Sequence, residues 1–253
     1  MRGRLDDALA LAEKGIAMSS EDPALGAGMV FTCPHAFHHM MRGMILCYMG
    51  RTEESASALE RAVLVAREHG DLETEGWASQ NLVFIARQTG QMENALACAT
   101  RAVEIAKRTG STLSRVQALG FLGYAYLGLD RLDEAIRALG RPVELAHEMN
   151  VGRECEPFWV AALSDALRRA GDAEGALQTA QESVRLVRQY GSDLFIPVCY
   201  RVLADALLAS DEPERIAEAQ HALERATAAV EETGARAELP FIERARGRLA
   251  LVS

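Results

Sequence analysis

The stretch "FTCPHAFHHMM", residues 31–41, crowds four metal-binding side chains together: Cys33, His35, His38 and His39. All are legitimate zinc ligands, and His35 and His39, spaced i, i+4, would share one face of a helix. Two readings compete. In one, the cluster is a zinc site, which needs its groups in a tetrahedral arrangement, and no second Cys/His cluster stands elsewhere to complete it. In the other, Pro34 opens an ordinary helix, where its fixed φ and missing N–H do no harm, and the histidines face solvent or a groove. The second reading is preferred, so no metal is expected.

Other site chemistry is no easier to place. There is no G-x-x-x-x-G-K-[ST] phosphate loop, and the "GAG" at residues 26–28 lacks the context of a dinucleotide turn and reads as a connector. Ser, His and Asp residues occur in no recognisable nucleophile turn, and the carboxylates are spaced as exposed helix faces. The expectation is a non-catalytic chain without a cofactor.

With 49% hydrophobic and 25% charged residues, the 253-residue chain can bury a core. Its 27 basic and 36 acidic residues leave a formal charge of −9, which argues against nucleic acid, since phosphate binding depends on Lys and Arg. The five cysteines (Cys33, Cys47, Cys98, Cys155, Cys199) are odd in number and form no C-x-x-C, which fits a reducing cytoplasm. No signal sequence and no run of about 18 apolar residues appears, so neither secretion nor a membrane span is expected.

The dominant signal is repetition. Stretches opening at Gly50, Gly90, Asp130, Gly171 and Asp211 begin 40, 40, 41 and 40 residues apart, which marks one structural unit used again and again. In the first four, a small residue follows five positions on (Ser55, Ala95, Ala135, Ala176) and a valine thirteen on (Val63, Val103, Val143, Val184). A further apolar residue comes three later (Ala66, Ala106, Ala146, Val187), the spacing of an amphipathic helix. The opening Gly or Asp supplies a tight turn, and Gly70, Gly110, Asn150, Gly191 and Gly234 stand where left-handed helix caps are expected. The segments between are also helical in period, so each unit is a pair of antiparallel helices, here called A and B, that buries its apolar faces only when stacked.

Leu122-Gly123-x-x-Tyr126, followed by Asp130 and Ala135, resembles the tetratricopeptide signature, although a 40-residue period exceeds the usual 34 and implies longer helices. Small residues at Gly43, Gly123, Ser164 and Ala204, eight positions into each A helix, would let the neighbouring helix approach closely. The fold expected is all-α: a right-handed αα-superhelix of about twelve helices, one solenoid over residues 1–253. The segment from Gly3 reads as a B helix without its A helix, and the segment ending at Ser253 as an A helix without its B helix, so the chain is expected to be a piece of a longer, multidomain protein. The order of "LGAGMVFTCPHAF", "GRTEESASALERAVLVAREHGD", "RECEPFWVAALSDALRRAGD" and "ETGARAELPFIERARGRLALV" resembles the C-terminal helical arrays of bacterial class III adenylate or guanylate cyclases and STAND/AAA-type signalling ATPases. That resemblance implies a regulatory sensor or scaffold that binds a protein or peptide, with any catalysis lying outside this chain.

In stacked helix pairs the A helices line the concave face, where an extended peptide would be held. Counted from the turns, the groove positions are Met40 and Met44; Trp77, Gln80, Phe84 and Arg87; Gln117 and Tyr124; Phe158, Asp165 and Arg168; and Arg201 and Asp205. Trp77 and Phe84 read either as packing between repeats or as apolar contacts for a ligand; Arg87, Arg168 and Arg201 read either as surface charge or as carboxylate clamps. Pro142, with Gly140 just before it, predicts a bend in its B helix, either a tolerated kink on the convex surface or a hinge. Two functions are carried forward: a protein-interaction scaffold in a bacterial signalling protein, and a receptor for a small molecule or peptide pheromone whose superhelix changes curvature on binding. The exposed end helices also offer surfaces on which two copies could pair.

Overall fold

The computed structural model describes residues 4–29, 33–209 and 212–252. Twelve α-helices occupy these residues, and no strand is present among them. After α1 (Leu5–Met18), five A/B pairs follow: α2 (Pro34–Tyr48) with α3 (Thr52–Glu68), α4 (Leu72–Thr89) with α5 (Met92–Thr109), α6 (Thr112–Gly128) with α7 (Leu132–Met149), α8 (Glu156–Arg169) with α9 (Ala173–Tyr190), and α10 (Ile196–Leu207) with α11 (Pro213–Thr233). The last helix, α12 (Leu239–Val252), packs against α11 and α10 as a sixth A helix. Each A helix touches its own B helix, the B helix before it and the neighbouring A helices. This is the connectivity of a tetratricopeptide-like solenoid.

The punctuation works as its chemistry dictates. Gly50, Gly90, Asp130 and Gly171 between A and B helices, and Gly70, Gly110, Asn150, Gly191 and Gly234 after B helices, all adopt positive φ. Asp211, the fifth opening residue, lies outside the described residues. Asp71, Ser111 and Asp172 cap the helices that follow them by accepting the N–H of Thr74, Ser114 and Gly175.

Within a pair, contact is closest where the A helix carries no side chain. A Cβ on Gly43 would lie 2.5 Å from Leu59 Cγ, and one on Gly123 would lie 2.6 Å from Leu139 Cγ. The small residue of the B helix completes the joint: Ser55 donates to the Gly43 carbonyl at 2.6 Å, and Ser164 donates across the fourth pair to the Ala176 carbonyl at 2.7 Å. Buried carboxylates tie successive units, with Glu75 held by Arg67 and Arg101 and Glu156 by His147 and Arg153.

The valine column lies along the buried stripe: Val63, Val103 and Val143 are half-buried and Val184 is buried, and the residue before each, Ala62, Ala102, Pro142 and Ser183, is buried as well. Two expectations need correction. Pro142 therefore does not sit on the convex surface; it occupies a core position in a helix assigned without a break from Leu132 to Met149. Of the histidines expected to face solvent or groove, His35 does not, and His38 and His39 are half-buried. His35 is buried and shares a 2.8 Å hydrogen bond with Ser19, and the His38 ring fills the space above Gly15 on α1. The bare Gly15 in α1 is what lets the His38 ring pack there.

The stack also meets itself. Leu194 and Ala235, from the segments leading into α10 and α12, share an apolar cluster with Leu5, Leu9, Ile45 and Leu46 of α1 and α2. The Tyr48 and Phe195 rings lie 6.2 Å apart, and a Cβ on Gly50 would be 3.6 Å from the Ala237 nitrogen. The first and last units thus close the superhelix into a ring.

Candidate functional site

All thirteen groove positions read from the sequence lie on A helices, and the structure sorts them into three groups. Met40 and Met44 stand on α2: Met40 is buried with Cys47, Leu59 and Ala78, and Met44 is half-buried. Gln80 of α4 donates to Gln117 of α6 at 2.8 Å, and Trp77 Nε1 donates to Ser114 Oγ at 2.9 Å, with Ser114 in turn hydrogen-bonded to Glu73. These bonds form a polar seam between neighbouring A helices, and Gln80 is itself buried.

The second group is aromatic and fills the superhelix axis. The Phe84 ring meets Phe121 at 4.9 Å, Phe158 at 5.2 Å and Tyr124 at 5.4 Å, mostly edge to face, as the ring quadrupoles favour. Phe195 extends the cluster from Phe158 toward Tyr48. Burial pushes the Tyr124 hydroxyl pKa up to about 12.

The third group is charged and buried beside these rings. Asp165 pairs with Arg168 at 2.7 Å and lies 3.9 Å from Arg87. Arg201 bonds Asp205 at 3.0 Å and Glu238 at 3.1 Å, and Arg248 also reaches Asp205. Burial by itself would raise the Asp165 pKa, but Arg201, Arg168 and Arg87 outweigh it and hold the carboxyl below its usual range. Likewise burial opposes charge on Arg201, and Glu238, Asp205 and Asp165 overcome it.

Arg87 sits at the edge of this network, its guanidinium 3.9 Å from the Asp165 carboxylate. Its guanidinium lies 4.3 Å from the centre of the Tyr124 ring and 5.4 Å from that of Phe241, and it makes no hydrogen bond among the described residues. Two rings and the long ion pair to Asp165 hold it in place, and its guanidinium donates no hydrogen bond to the described residues.

Sequence reasoning missed the C-terminal contributors: Phe241, Arg236, Arg244 and Glu238. The signal available was a period, since Phe241 follows Arg201 by one 40-residue step. What it does not convey is that this segment folds back to face α2 and α4. Among the described residues no group of three or more His, Cys, Asp or Glu side chains is arranged to hold a metal ion; the His35 and His39 rings pack edge to face at 4.7 Å. No helix among them is long and apolar enough to cross a membrane.

Comparison with known proteins agrees with this architecture. A family described as Tetratricopeptide repeat matches residues 73–146, and one described as Anaphase-promoting complex subunit 5 matches residues 34–89 and 156–207. The chain is a tetratricopeptide-like array. Among solved structures it is similar to Bacillus thuringiensis PlcR in complex with the peptide PapR7 and DNA (13% identity, TM-score 0.70, covering 90% of this chain and 82% of that one). It is also similar to a Rap protein complexed with Competence and Sporulation Factor (12%, TM-score 0.63, 99% and 73%) and to a putative kinesin light chain of Podosopora anserina (19%, TM-score 0.53, 77% and 94%). At these identities the likeness is one of fold. No curated protein matches the sequence.

Proposed function

We propose that this chain is a non-catalytic interaction scaffold that holds a peptide or protein segment on its concave face, as a cytoplasmic regulatory region of a bacterial signalling protein. The observation that carries this reading is Arg87: a cation fixed between two aromatic rings on the concave wall, with a long 3.9 Å ion pair to Asp165 and no hydrogen bond among the described residues. Proteins use that arrangement to grip a partner's carboxylate or carbonyl with little loss of side-chain freedom. Two of the similar structures contain bound factors by their own titles, one of them a peptide, which supports placing a ligand there. The resemblance to cyclase and ATPase arrays supports the signalling role.

The test is capture of partners by the full chain and by Arg87→Ala. The variant is expected to lose a partner that native protein retains; equal capture would remove Arg87 from the interface. Arg201→Ala does not serve, because it strands Asp205 and Glu238 in the interior.

The ring closure favours the second reading, a receptor whose curvature responds to a small molecule or peptide pheromone. A ligand entering between the first and last units would bear directly on the Tyr48–Phe195 and Gly50–Ala237 contacts. The sequence encoded upstream separates the two: a cyclase or ATPase module supports the first, and a DNA-binding helix-turn-helix supports the second.

A further inference from the structure

Successive units are tied at a position that recurs. Glu75, in the first turn of α4, is 2% exposed, and its Oε1 accepts from Arg67 of α3 at 2.9 Å and from Arg101 of α5 at 3.0 Å. Glu156, in the first turn of α8, is 1% exposed and is held by His147 of α7 at 2.5 Å and by Arg153 at 2.8 Å. At both joints a carboxylate is buried between flanking cations, which offset the cost of taking it out of water.

The joint between these two reverses the sign. Lys107 stands 40 residues after Arg67 and 40 before His147, and Arg141 stands 40 after Arg101, so the flanking cations are kept. In the carboxylate's own place, 40 residues after Glu75 and 41 before Glu156, stands Arg115. It is exposed, and the space a glutamate fills elsewhere is open: Lys107, Arg115 and Arg141 line a cleft of about 410 Å³ between α5 and α7, floored by Val103, Ala106, Ala118 and Leu119. No carboxylate lines it. Glu104, one turn before Lys107, leans to Arg101 at 3.8 Å, and Arg141 meets Glu144 at 2.9 Å in a pair of exposed side chains that contributes little. The side chains of Lys107 and Arg115 make no hydrogen bond or ion pair among the described residues. The following joint differs. There Ile196 takes the carboxylate's place, and the column's cation, Arg188, donates to the Tyr200 hydroxyl instead. Losing the carboxylate therefore does not by itself leave cations idle, whereas a third cation in its place gathers like charges that repel one another.

We infer that this cleft binds a small amphipathic carboxylic acid in its ionised form. The carboxylate takes the place that the Glu75 and Glu156 side chains fill at the neighbouring joints, held by Lys107, Arg115 and Arg141, and the apolar body lies along Val103, Ala106, Ala118 and Leu119. A space of about 410 Å³ is of small-molecule size. A carboxylate suits it because the anion used at the equivalent joint is one, with nitrogens from two helices converging on a single oxygen in charge-assisted hydrogen bonds. The site lies between B helices, away from the concave face, and does not rest on the function proposed above. A bound acid would tie α5, α6 and α7 together as Glu75 ties α3, α4 and α5, stiffening the middle of the stack.

The experiment titrates the full chain with octanoate by calorimetry at low salt, with octanamide, acetate and octyl phosphate for comparison, and follows the melting temperature in parallel. Octanoate is expected to bind at least tenfold more tightly than octanamide or acetate, to raise the melting temperature, and to weaken as salt is added. Arg115→Glu is expected to supply the missing carboxylate from within the chain: it should raise the melting temperature without ligand and abolish octanoate binding. Lys107→Ala combined with Arg141→Ala, both at exposed positions, is expected to weaken octanoate at least tenfold and leave the melting temperature in place. Octanoate bound no better than octanamide, or bound undiminished by both altered proteins, overturns the inference. Acetate bound as tightly as octanoate overturns the assignment to an amphipathic acid, and octyl phosphate bound tenfold more tightly than octanoate overturns the assignment to a carboxylate.

Discussion

His39 shows how a side chain that looks like a ligand can instead be a structural liability at low pH. Burial, followed by the charges of His35, Arg61 and Arg42, lowers its pKa from 6.5 to about 4, and its Nδ1 is buried without a partner. His35 and His38 shift the same way, burial being the leading cause. Because the folded state favours the neutral rings, their contribution is intact above the unfolded pKa of about 6.5 and is lost as pH falls from there toward about 4. The melting temperature is therefore predicted to drop between pH 7 and pH 4.5, with hydrogen exchange in α1 rising first, and His39→Leu is predicted to flatten the drop. A profile unchanged by that substitution would dissociate the histidines from acid lability. Glycines offer a sharper test of packing. Gly43→Ala and Gly123→Ala drive a methyl into Leu59 and Leu139 and are predicted to cost about 1–3 kcal/mol. Gly140→Ala, in open space on a helix, is predicted to stabilise by about 0.5–1 kcal/mol. Denaturant unfolding of the three variants reads both signs.

Between helices, a stagger recurs that the sequence period conceals. Units repeat every 40 residues, yet neighbouring units touch at a separation of 37: Trp77 with Ser114 and Gln80 with Gln117 between A helices, and Arg201 with Glu238 just ahead of α12, by hydrogen bonds, and Phe84 with Phe121 and Arg87 with Tyr124 by ring contact. The offset of three is close to one helical turn. Helix boundaries, the pairing and the small-residue joints at Gly43 and Gly123 were legible because each depends on local chemistry. The burial of Asp165, Arg201 and Asp205 was not, since it depends on which A-helix face the stagger turns toward the axis. Arg201 tests that burial. Its removal is predicted to cost about 3–5 kcal/mol by leaving buried carboxylates uncompensated, measured by chemical denaturation, whereas a loss below about 1 kcal/mol would place it at a solvated surface.

At the scale of the molecule, the decisive event is closure, and nothing in a repeat states it. Curvature accumulates from small rotations at every interface, so whether the sixth A helix reaches the first is a sum over the chain rather than a motif. That is why Phe241, Arg236 and Arg244 escaped notice while Arg87 did not. The seam itself is a small apolar cluster, and Leu194→Glu, which puts a charge beside Leu5 and Ile45, is predicted to open it and to weaken any ligand held between the first and last units. Small-angle X-ray scattering of the native chain tests the account most directly. A closed ring of 253 residues is predicted to show a radius of gyration near the compact-globule value of about 18 Å, rising in Leu194→Glu. A native value above roughly 22 Å, on the same scaling and unmoved by that substitution, would describe an open solenoid and contradict the closure on which the site depends.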